Sequence, residues 1–583
     1  MSAQAHPAHP AQAAAAAPAG TAAGAATAVY DVLVVGAGIN GAGIARDLAG
    51  RGLTVLLVEQ DDIARHTSSA STKLIHGGLR YLEYYEFGLV RKALAEREVL
   101  LKSAPHIMWP LRFVMPHDRR LPGQRPVWMI RAGLFLYDHL ARREWLPAST
   151  TLRLREHPAG APLKPGFVHG FAYSDGWVDD ARLVLLNVID AAARGATVHT
   201  RTRCESVQRR GDRWVATLRP HGAGLAATTD PTHPAGPAEA ADAAGGVSAT
   251  VEARLVVNAS GPWAGEFLKS RANAAGAKQL RLVKGSHIVV PKMFDHDHAY
   301  IFQNPDGRIV FAIPYEGEYT LIGTTDVEVD HAPDAARIDA DEIAYLCQQA
   351  SAYFAKPVTP ADVVWSYSGV RPLVDDGSGS ASSITRDYLL EFDDGPAVPG
   401  GRSGRRGDGA PMLTVWGGKL TTFRKLSEEA ADLVARRLGN SRPAWTEGVP
   451  FPGGDLSAWI GAPTRPDQDF ARFADAVQRR WPQLPAAVAQ RWARAYGSRV
   501  DRLWPAGREG ELASLGAEVA PGLYEAELDY LWREEWARSA DDVLWRRSKL
   551  GVHFNAAQRE AVARWWAARH RQAGAEMAAA LTA

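Results

Sequence analysis

The chain has 583 residues, a formal net charge of +1 and 46% hydrophobic residues, a globular composition long enough for two or three domains with a large core. The near-neutral charge, with no basic tail and no nucleic-acid motif, excludes nucleic-acid binding as the main role. The two cysteines, Cys204 and Cys347, have no CxxC or metal-ligand spacing; they exclude a disulfide framework and read as buried, inert thiols.

Residues 1–29 are Ala/Pro-rich without a basic start or a Leu/Val-rich centre, so they read as a disordered tail and not as a secretory signal. No stretch of about 18 apolar residues occurs anywhere, so no transmembrane helix is expected. Val32–Val35 then reads as a buried parallel strand, followed by Gly36, Gly38 and Gly41 at G-x-G-x-x-G spacing and a helix. The first glycine permits a tight turn, the second lets a pyrophosphate approach, and the third lets helix and strand pack closely. The helix N-terminus offers free N–H groups and a positive dipole end to phosphate. A second apolar run, Leu53–Val58, ends in Glu59, where a carboxylate accepts hydrogen bonds from an unphosphorylated ribose. Strand, glycines, helix, strand and acid in order point to a dinucleotide site; an ordinary tight β–α turn is the alternative.

The fingerprint does not separate NAD from FAD, but the next segment does. Thr67, Ser68 and Ser69 open a run of small hydroxyl residues that leads to His76, Gly77, Gly78, Arg80 and Tyr81. Small residues let the backbone run close to a flat ring, and hydroxyls bond phosphate and ribityl oxygens. Two further flavin-type features follow. Leu255–Asn258 is a strand ending in Ala259, Ser260 and Gly261, and Leu413–Trp416 is a strand ending in Gly417-Gly418-Lys419-Leu-Thr421 before a helix. A helix N-terminus there favours negative charge on a reduced flavin.

Between these landmarks, Arg125–Arg143 is apolar and aromatic with basic flanks, which suits either an interfacial helix or a buried helix of a cap domain. Asp179-Asp180 before an apolar helix reads as a cap with first-turn acids and not as a catalytic pair. Residues 220–246, rich in Ala, Gly, Pro and Thr, lie between the strands Trp214–Leu218 and Ala249–Val257 and read as an enlarged hairpin loop; Pro396–Pro411 reads as a second surface insertion. The strand runs Ile309–Pro314 and Tyr319–Thr324 indicate a sheet-based substrate domain. Beyond about residue 445 the spacing turns helical at Phe470–Arg480, Leu484–Tyr496, Tyr524–Arg538 and Ala556–Ala573. Its tryptophans, among them Trp481, Trp492, Trp545 and Trp566, read as core.

From about Tyr30 to near the C-terminus the chain resembles the bacterial respiratory, FAD-dependent glycerol-3-phosphate dehydrogenases. The segments that carry this are Gly36–Gly43, Thr67–Glu83, Tyr173–Arg182, Lys284–Pro291, Ile322–Asp326, Tyr367–Leu373, Ile384–Tyr388, Gly417–Thr422, Tyr524–Leu528 and Ala540–Arg547. The resemblance implies an α/β plus α architecture. A discontinuous, Rossmann-like FAD-binding domain (pieces near 30–85, 165–270 and 360–435) carries a sheet-based cap of the D-amino-acid-oxidase type within 30–440; a helical domain spans 445–575. It implies FAD as cofactor, sn-glycerol 3-phosphate as substrate, ubiquinone or menaquinone as acceptor, and monotopic attachment to the cytoplasmic membrane face; it leaves room for a homodimer. An oxidase using O₂ is the first rival and an amine oxidase of the same fold the second.

A dianionic substrate calls for several cations in one pocket. A lone arginine after a strand is ordinarily a surface ion pair, but in Ser368-Gly-Val-Arg371-Pro the resemblance places Arg371 on the substrate. Arg386 is either a phosphate ligand or a local partner of Asp387. Lys419, Arg80 and Tyr81 are carried over as substrate-pocket residues. His287, with a pKa suited to proton transfer, is the most plausible base; the alternative is a structural strand histidine, and Tyr81 competes as proton acceptor.

Overall fold

The computed structural model describes residues 28–118, 120, 125–221, 248–274, 276, 278–330, 332–374, 387–395 and 409–582, with the backbone alone for 573–582. Strand Val29–Val35 begins inside the segment that composition alone assigns to the tail, because Val29 already pairs with Glu252 of a parallel neighbour. Residues 1–27 lie outside the described residues.

The first sheet has a parallel centre in the order Met412–Trp416, Ala249–Asn258, Val29–Val35, Val55–Val58 and Thr197–His199. Val32–Val34 and Val55–Val58 are buried throughout, as strands covered on both faces must be. Helix Ile39–Gly50 packs against helices Asp180–Ala193 and Phe423–Leu438 over one face, sealing a core that includes Ile44, Leu48, Val184, Val188, Leu426 and Ala430. Strand Leu389–Asp393 closes one edge antiparallel, and the hairpin Thr202–Arg210/Arg213–Pro220 joins Ala249–Asn258 with Leu218 opposite Ala249. That pairing is the hairpin expected around 220–246, of which 222–246 lie outside the described residues; so do 396–408 of the second insertion.

The second sheet has ten strands and runs Val327–Val329, Leu280–Pro291, Tyr319–Gly323, Ile309–Tyr315, Ala299–Gln303, Met108–His117, His169–Val178, Leu74–Ile75. Trp365–Val374 pairs with Leu280–Pro291, and Thr150–Arg153 with His169–Val178. Here the sequence-based division needs correction. Leu74–Ile75, His169–Val178 and Trp365–Val374 fall in pieces assigned to the FAD domain, yet they belong to this sheet. Strand propensity is local, but the partner is not: His169–Val178 pairs with Met108–His117 along its whole length.

Helices Pro466–Arg480, Ala486–Tyr496, Glu525–Glu534 and Ala556–Thr582, with a small ladder Glu518–Ala520/Leu523–Tyr524, enclose a separate core of Phe473, Trp481, Trp492, Leu528 and Trp566. Trp545 packs against this core and also stacks on Trp365 of the second sheet at 4.7 Å. Both cysteines are buried and free, and burial pushes the Cys204 thiol up to about 12.

One buried residue makes stability depend on pH. His106 is fully buried, neither ring nitrogen has a protein partner, and burial beside Arg182, Arg494 and Arg499 lowers its pKa from 6.5 to about 3. The unfolded chain takes up a proton there near pH 6.5 and the folded protein does not until about 3. Its contribution is therefore complete above pH 6.5 and declines as pH falls towards 3, by on the order of 1 kcal/mol per pH unit. Thermal unfolding of a His106→Leu variant should lose part of the wild-type decline between pH 6.5 and 5; identical slopes would assign the decline to other groups.

Candidate active site

The carboxyl ends of the parallel strands open on a cavity of about 410 Å³. Gly36, Gly38, Glu59, Thr67, Ser68, Ser260, Gly261, Gly417 and Gly418 line it. The turn at its floor accepts only glycine at two points. Gly36 has φ +103°, and a Cβ there would lie 2.7 Å from the Ala259 carbonyl oxygen; a Cβ on Gly41 would lie 1.9 Å from the Gly36 carbonyl oxygen. Gly41 thus serves the turn from behind and is not a lining residue. At Gly38 a Cβ would meet only Ser68 Oγ, at 3.1 Å, so the space kept open there belongs to the cavity. Ser68 Oγ accepts from Ile39 N–H (3.0 Å) at the helix start. Asn40 Nδ2 donates to the Gly417 carbonyl (3.0 Å) and ties that helix to the Gly417–Gly418 turn.

Glu59 is oriented by two backbone groups: Ala37 N–H to Oε2 (2.8 Å) and Asp61 N–H to Oε1 (2.9 Å). Each oxygen keeps a lone pair for a ribose hydroxyl. Burial raises the Glu59 pKa. Burial would also raise Asp61, but the hydrogen bond from His66 (2.8 Å) and its charge prevail and hold it at about 2. The glycine cradle, the helix start and the oriented acid fit the pyrophosphate and adenosine of a dinucleotide.

The remaining candidate residues among those described sit beyond this cavity. Thr67 Oγ1 donates to the Val370 carbonyl (2.7 Å), and a Cβ on Gly369 would lie 2.9 Å from Ala70, so residues 67–72 run along strand Trp365–Val374. Ser69 Oγ donates to the His66 carbonyl (3.3 Å) within that run. Thr421 Oγ1 accepts from His76 N–H (3.3 Å), and Gly77 N–H donates to Tyr137 Oη (2.8 Å). Gly78, at φ +76°, leaves room for the Tyr81 ring, which a Cβ would meet at 2.2 Å. Lys419 Nζ stands 3.8 Å from the centre of that ring, and Arg80 donates to Tyr84 Oη (3.3 Å). Arg371 Nη2 donates to the Thr325 carbonyl (3.0 Å) and pairs with Asp326 (2.8 Å). Arg386 lies outside the described residues.

His287 is placed differently from a solvent-facing base. It is buried, stacked on Tyr367 at 4.8 Å, and its Nε2 is 2.9 Å from Thr72 Oγ1. Burial, then Lys73 and Arg371, push its pKa well below the ordinary histidine value, so the ring is neutral and weakly basic. The Asp179-Asp180 reading fits the geometry: Asp179 accepts from Arg182 N–H (3.1 Å) as a cap, and Asp180 pairs with buried Lys73 (2.8 Å). Sequence reasoning missed Asn40, Arg203, Trp263 and Arg271, which also line the cavity, and Asp326 and Thr72, the partners of Arg371 and His287. Asn40 and Asp326 stand inside quoted motifs; Arg203 and Arg271 carry no local signal.

Residues 31–424 match the family model described as FAD dependent oxidoreductase, and 444–574 that of the C-terminal domain of alpha-glycerophosphate oxidase. A glycerol-3-phosphate dehydrogenase of Pseudomonas aeruginosa is 48% identical over 93% of this chain and 96% of its own. The chain belongs to the FAD-dependent glycerol-3-phosphate dehydrogenase family. It is an oxidoreductase with FAD as cofactor, and the expected flavin fold with a further C-terminal domain is borne out. A D-erythritol 1-phosphate dehydrogenase of Brucella abortus is 43% identical over 92% of this chain and 97% of its own, so the family spans more than one named phosphorylated polyol. The crystal structure of glycerol-3-phosphate dehydrogenase from Bacillus halodurans, complexed with FAD, has a TM-score of 0.68 and 27% identity, covering 93% of this chain and 90% of that one.

Proposed function

We propose that the protein oxidises sn-glycerol 3-phosphate to dihydroxyacetone phosphate and delivers the two electrons to a respiratory quinone at the membrane surface. Bound FAD supplies the acceptor for the C2 hydride. The observation that carries the substrate reading is a meeting of cation-bearing segments. A Cβ on Gly417 would lie 3.7 Å from the Pro372 carbonyl, which sets the Gly417–Lys419 turn beside Arg371-Pro372. Arg371, Lys419 and Arg80 then give a dianionic phosphate its field, with Arg386 as a further phosphate ligand. The Asp326 carboxylate and Thr325 carbonyl hold the guanidinium in place. His287 positions residues 67–72 through Thr72, and Tyr81, reacting as the phenolate that the Lys419 ammonium favours, accepts the hydroxyl proton and becomes the phenol. A His287→Asn enzyme that keeps the wild-type pH–rate profile supports that division; loss of the acidic limb, where an essential base becomes protonated, would return the proton to His287.

The membrane reading rests on helix Val127–His139. Its inner face, Ile130, Leu134 and Tyr137, is buried, while Trp128 and Phe135 are 69% and 62% exposed. Tyr84, Tyr85 and Phe87 extend the exposed apolar face, and Arg125, Arg142 and Arg143 flank it. Among the described residues no helix is long and apolar enough to cross a membrane. This geometry suits a monotopic contact. Replacing Phe135 and Leu136 with Asp should leave folding and flavin content unchanged, since both are exposed. Vesicle partitioning should fall by at least about 30-fold, the loss of two inserted side chains. Unchanged partitioning would move the contact elsewhere.

The deciding experiment is anaerobic mixing with glycerol 3-phosphate and D-erythritol 1-phosphate while watching flavin absorbance, followed by quinone or O₂. Fast bleaching by glycerol 3-phosphate and reoxidation by quinone is expected. Faster bleaching by erythritol phosphate would change the substrate; peroxide formed as fast as quinol would make the protein an oxidase.

A further inference from the structure

The motif Ala540–Arg547 matches the family but does not line the dinucleotide cavity, and it meets the second sheet by stacking Trp545 on Trp365. Its contacts lead to the cavity wall. Two loops form the wall beside Glu59: Gln60–His66, and Thr200–Arg201 with the start of strand Thr202–Arg210; Gln60, Asp61, Ala64–His66 and Thr202–Cys204 line the cavity. They are laced together by Thr202 N–H to the Glu59 carbonyl (2.8 Å) and Arg201 N–H to the Asp61 carbonyl (2.9 Å). Each loop also carries one charged side chain that turns away from the cavity. Asp62, 1% exposed, accepts from Arg546 Nε (2.6 Å) and from Arg547 Nη1 and Nη2 (2.5 and 2.8 Å). Arg201 donates to Asp542 (2.8 Å), which also accepts from Arg546 (2.5 Å). Arg547 is locked in turn by the Glu535 carbonyl (2.7 Å), and the Glu535 carboxylate holds Arg182 through two bonds of 2.6 and 3.0 Å. None of residues 535–547 lines the cavity.

We propose that the C-terminal domain is a clasp on the adenosine end of FAD. Arg546, Arg547 and Asp542 act as positioning residues that hold the two loops closed around the cofactor. The physical reason is the burial of Asp62. Its close partners are the two C-terminal arginines; Arg201 is at 4.0 Å. Removing them leaves a buried carboxylate uncompensated, which is strongly unfavourable. The loop then relaxes by turning Asp62 to water, and Glu59, His66 and the lining backbone move with it. Closure by the clasp and occupancy by FAD favour the same loop arrangement, so each must favour the other.

The test measures flavin release by fluorescence after dilution of the holoenzyme, independently of turnover. Arg547→Met should release FAD about tenfold or more faster than wild type, a typical coupling between linked sites. Arg508→Met, which breaks an exposed ion pair of the C-terminal domain (Arg508–Glu511, 3.0 Å) without touching the loops, should leave release unchanged. If Arg547→Met does not fold, the isosteric Asp62→Asn decides, and it should also release FAD faster. FAD binding should slow hydrogen exchange in the backbone of 535–547. Release at the wild-type rate in Asp62→Asn, equal release from Arg508→Met and Arg547→Met, or exchange of 535–547 indifferent to FAD would each overturn the proposal. None of these outcomes depends on which phosphorylated polyol is oxidised.

Discussion

An Arg371→Ala enzyme should keep its FAD and lose roughly 30- to 1000-fold in kcat/KM for glycerol 3-phosphate, the cost of about 2–4 kcal/mol of charge-assisted stabilisation. The fold should survive. The Arg371–Asp326 pair is about one-third exposed on both sides, so it adds little to stability, and a freed Asp326 is solvated in place. Arg371→Lys restores charge but not the planar fork, and should recover only part of the rate. Steady-state kinetics beside the flavin-to-protein absorbance ratio separates turnover from cofactor loss. Activity within about threefold of wild type would reduce Arg371 to the plain ion partner of Asp326.

Gly41→Val should give protein with little or no flavin. The new Cβ would stand 1.9 Å from the Gly36 carbonyl oxygen, a backbone atom in a turn that cannot give way without opening the strand–helix junction. Gly38→Ala is the informative contrast. Its Cβ meets only a serine hydroxyl, its φ is −75°, and so the apoprotein should fold normally. Its loss of FAD occupancy then reports crowding of the pyrophosphate alone. Far-UV circular dichroism and bound flavin, measured on both variants, test the pair: full occupancy in Gly41→Val would show that the turn does not hold the cofactor.

The parts of the site that were legible in sequence are those made by consecutive residues. Gly36 to Gly41 specify a turn because each glycine answers a constraint within a few residues or at the next strand. Glu59 is legible because it ends a strand whose length the pleat fixes. Legibility fails where a residue's role depends on a partner far along the chain. His287 presents itself as a base in its own window, and only Thr72, Tyr367 and the burial between them show a neutral, tethered ring. Strand His169–Val178 was readable as a strand but not as a member of the second sheet, since nothing local names Met108–His117 as its partner. Asp62 is the extreme case: its arginines lie 484 and 485 residues away. Helix Val127–His139 was legible as apolar and aromatic with basic flanks, but which residues it buries shows only in the structure, with Tyr137 inward and Phe135 outward.

The order of strands in the first sheet has a consequence for how the protein is made. The central strand Val29–Val35 leaves the ribosome early, yet its neighbour Ala249–Asn258 and the Gly417–Gly418 turn come hundreds of residues later. At elongation rates of about 5–20 residues per second the opening β–α unit therefore waits for tens of seconds with one edge unpaired. Flavin loading is then an event of the nearly finished chain. Nascent polypeptides that stop before Gly418 should carry no FAD, and they should depend on chaperones to shield Val32–Val35 until the missing strand arrives.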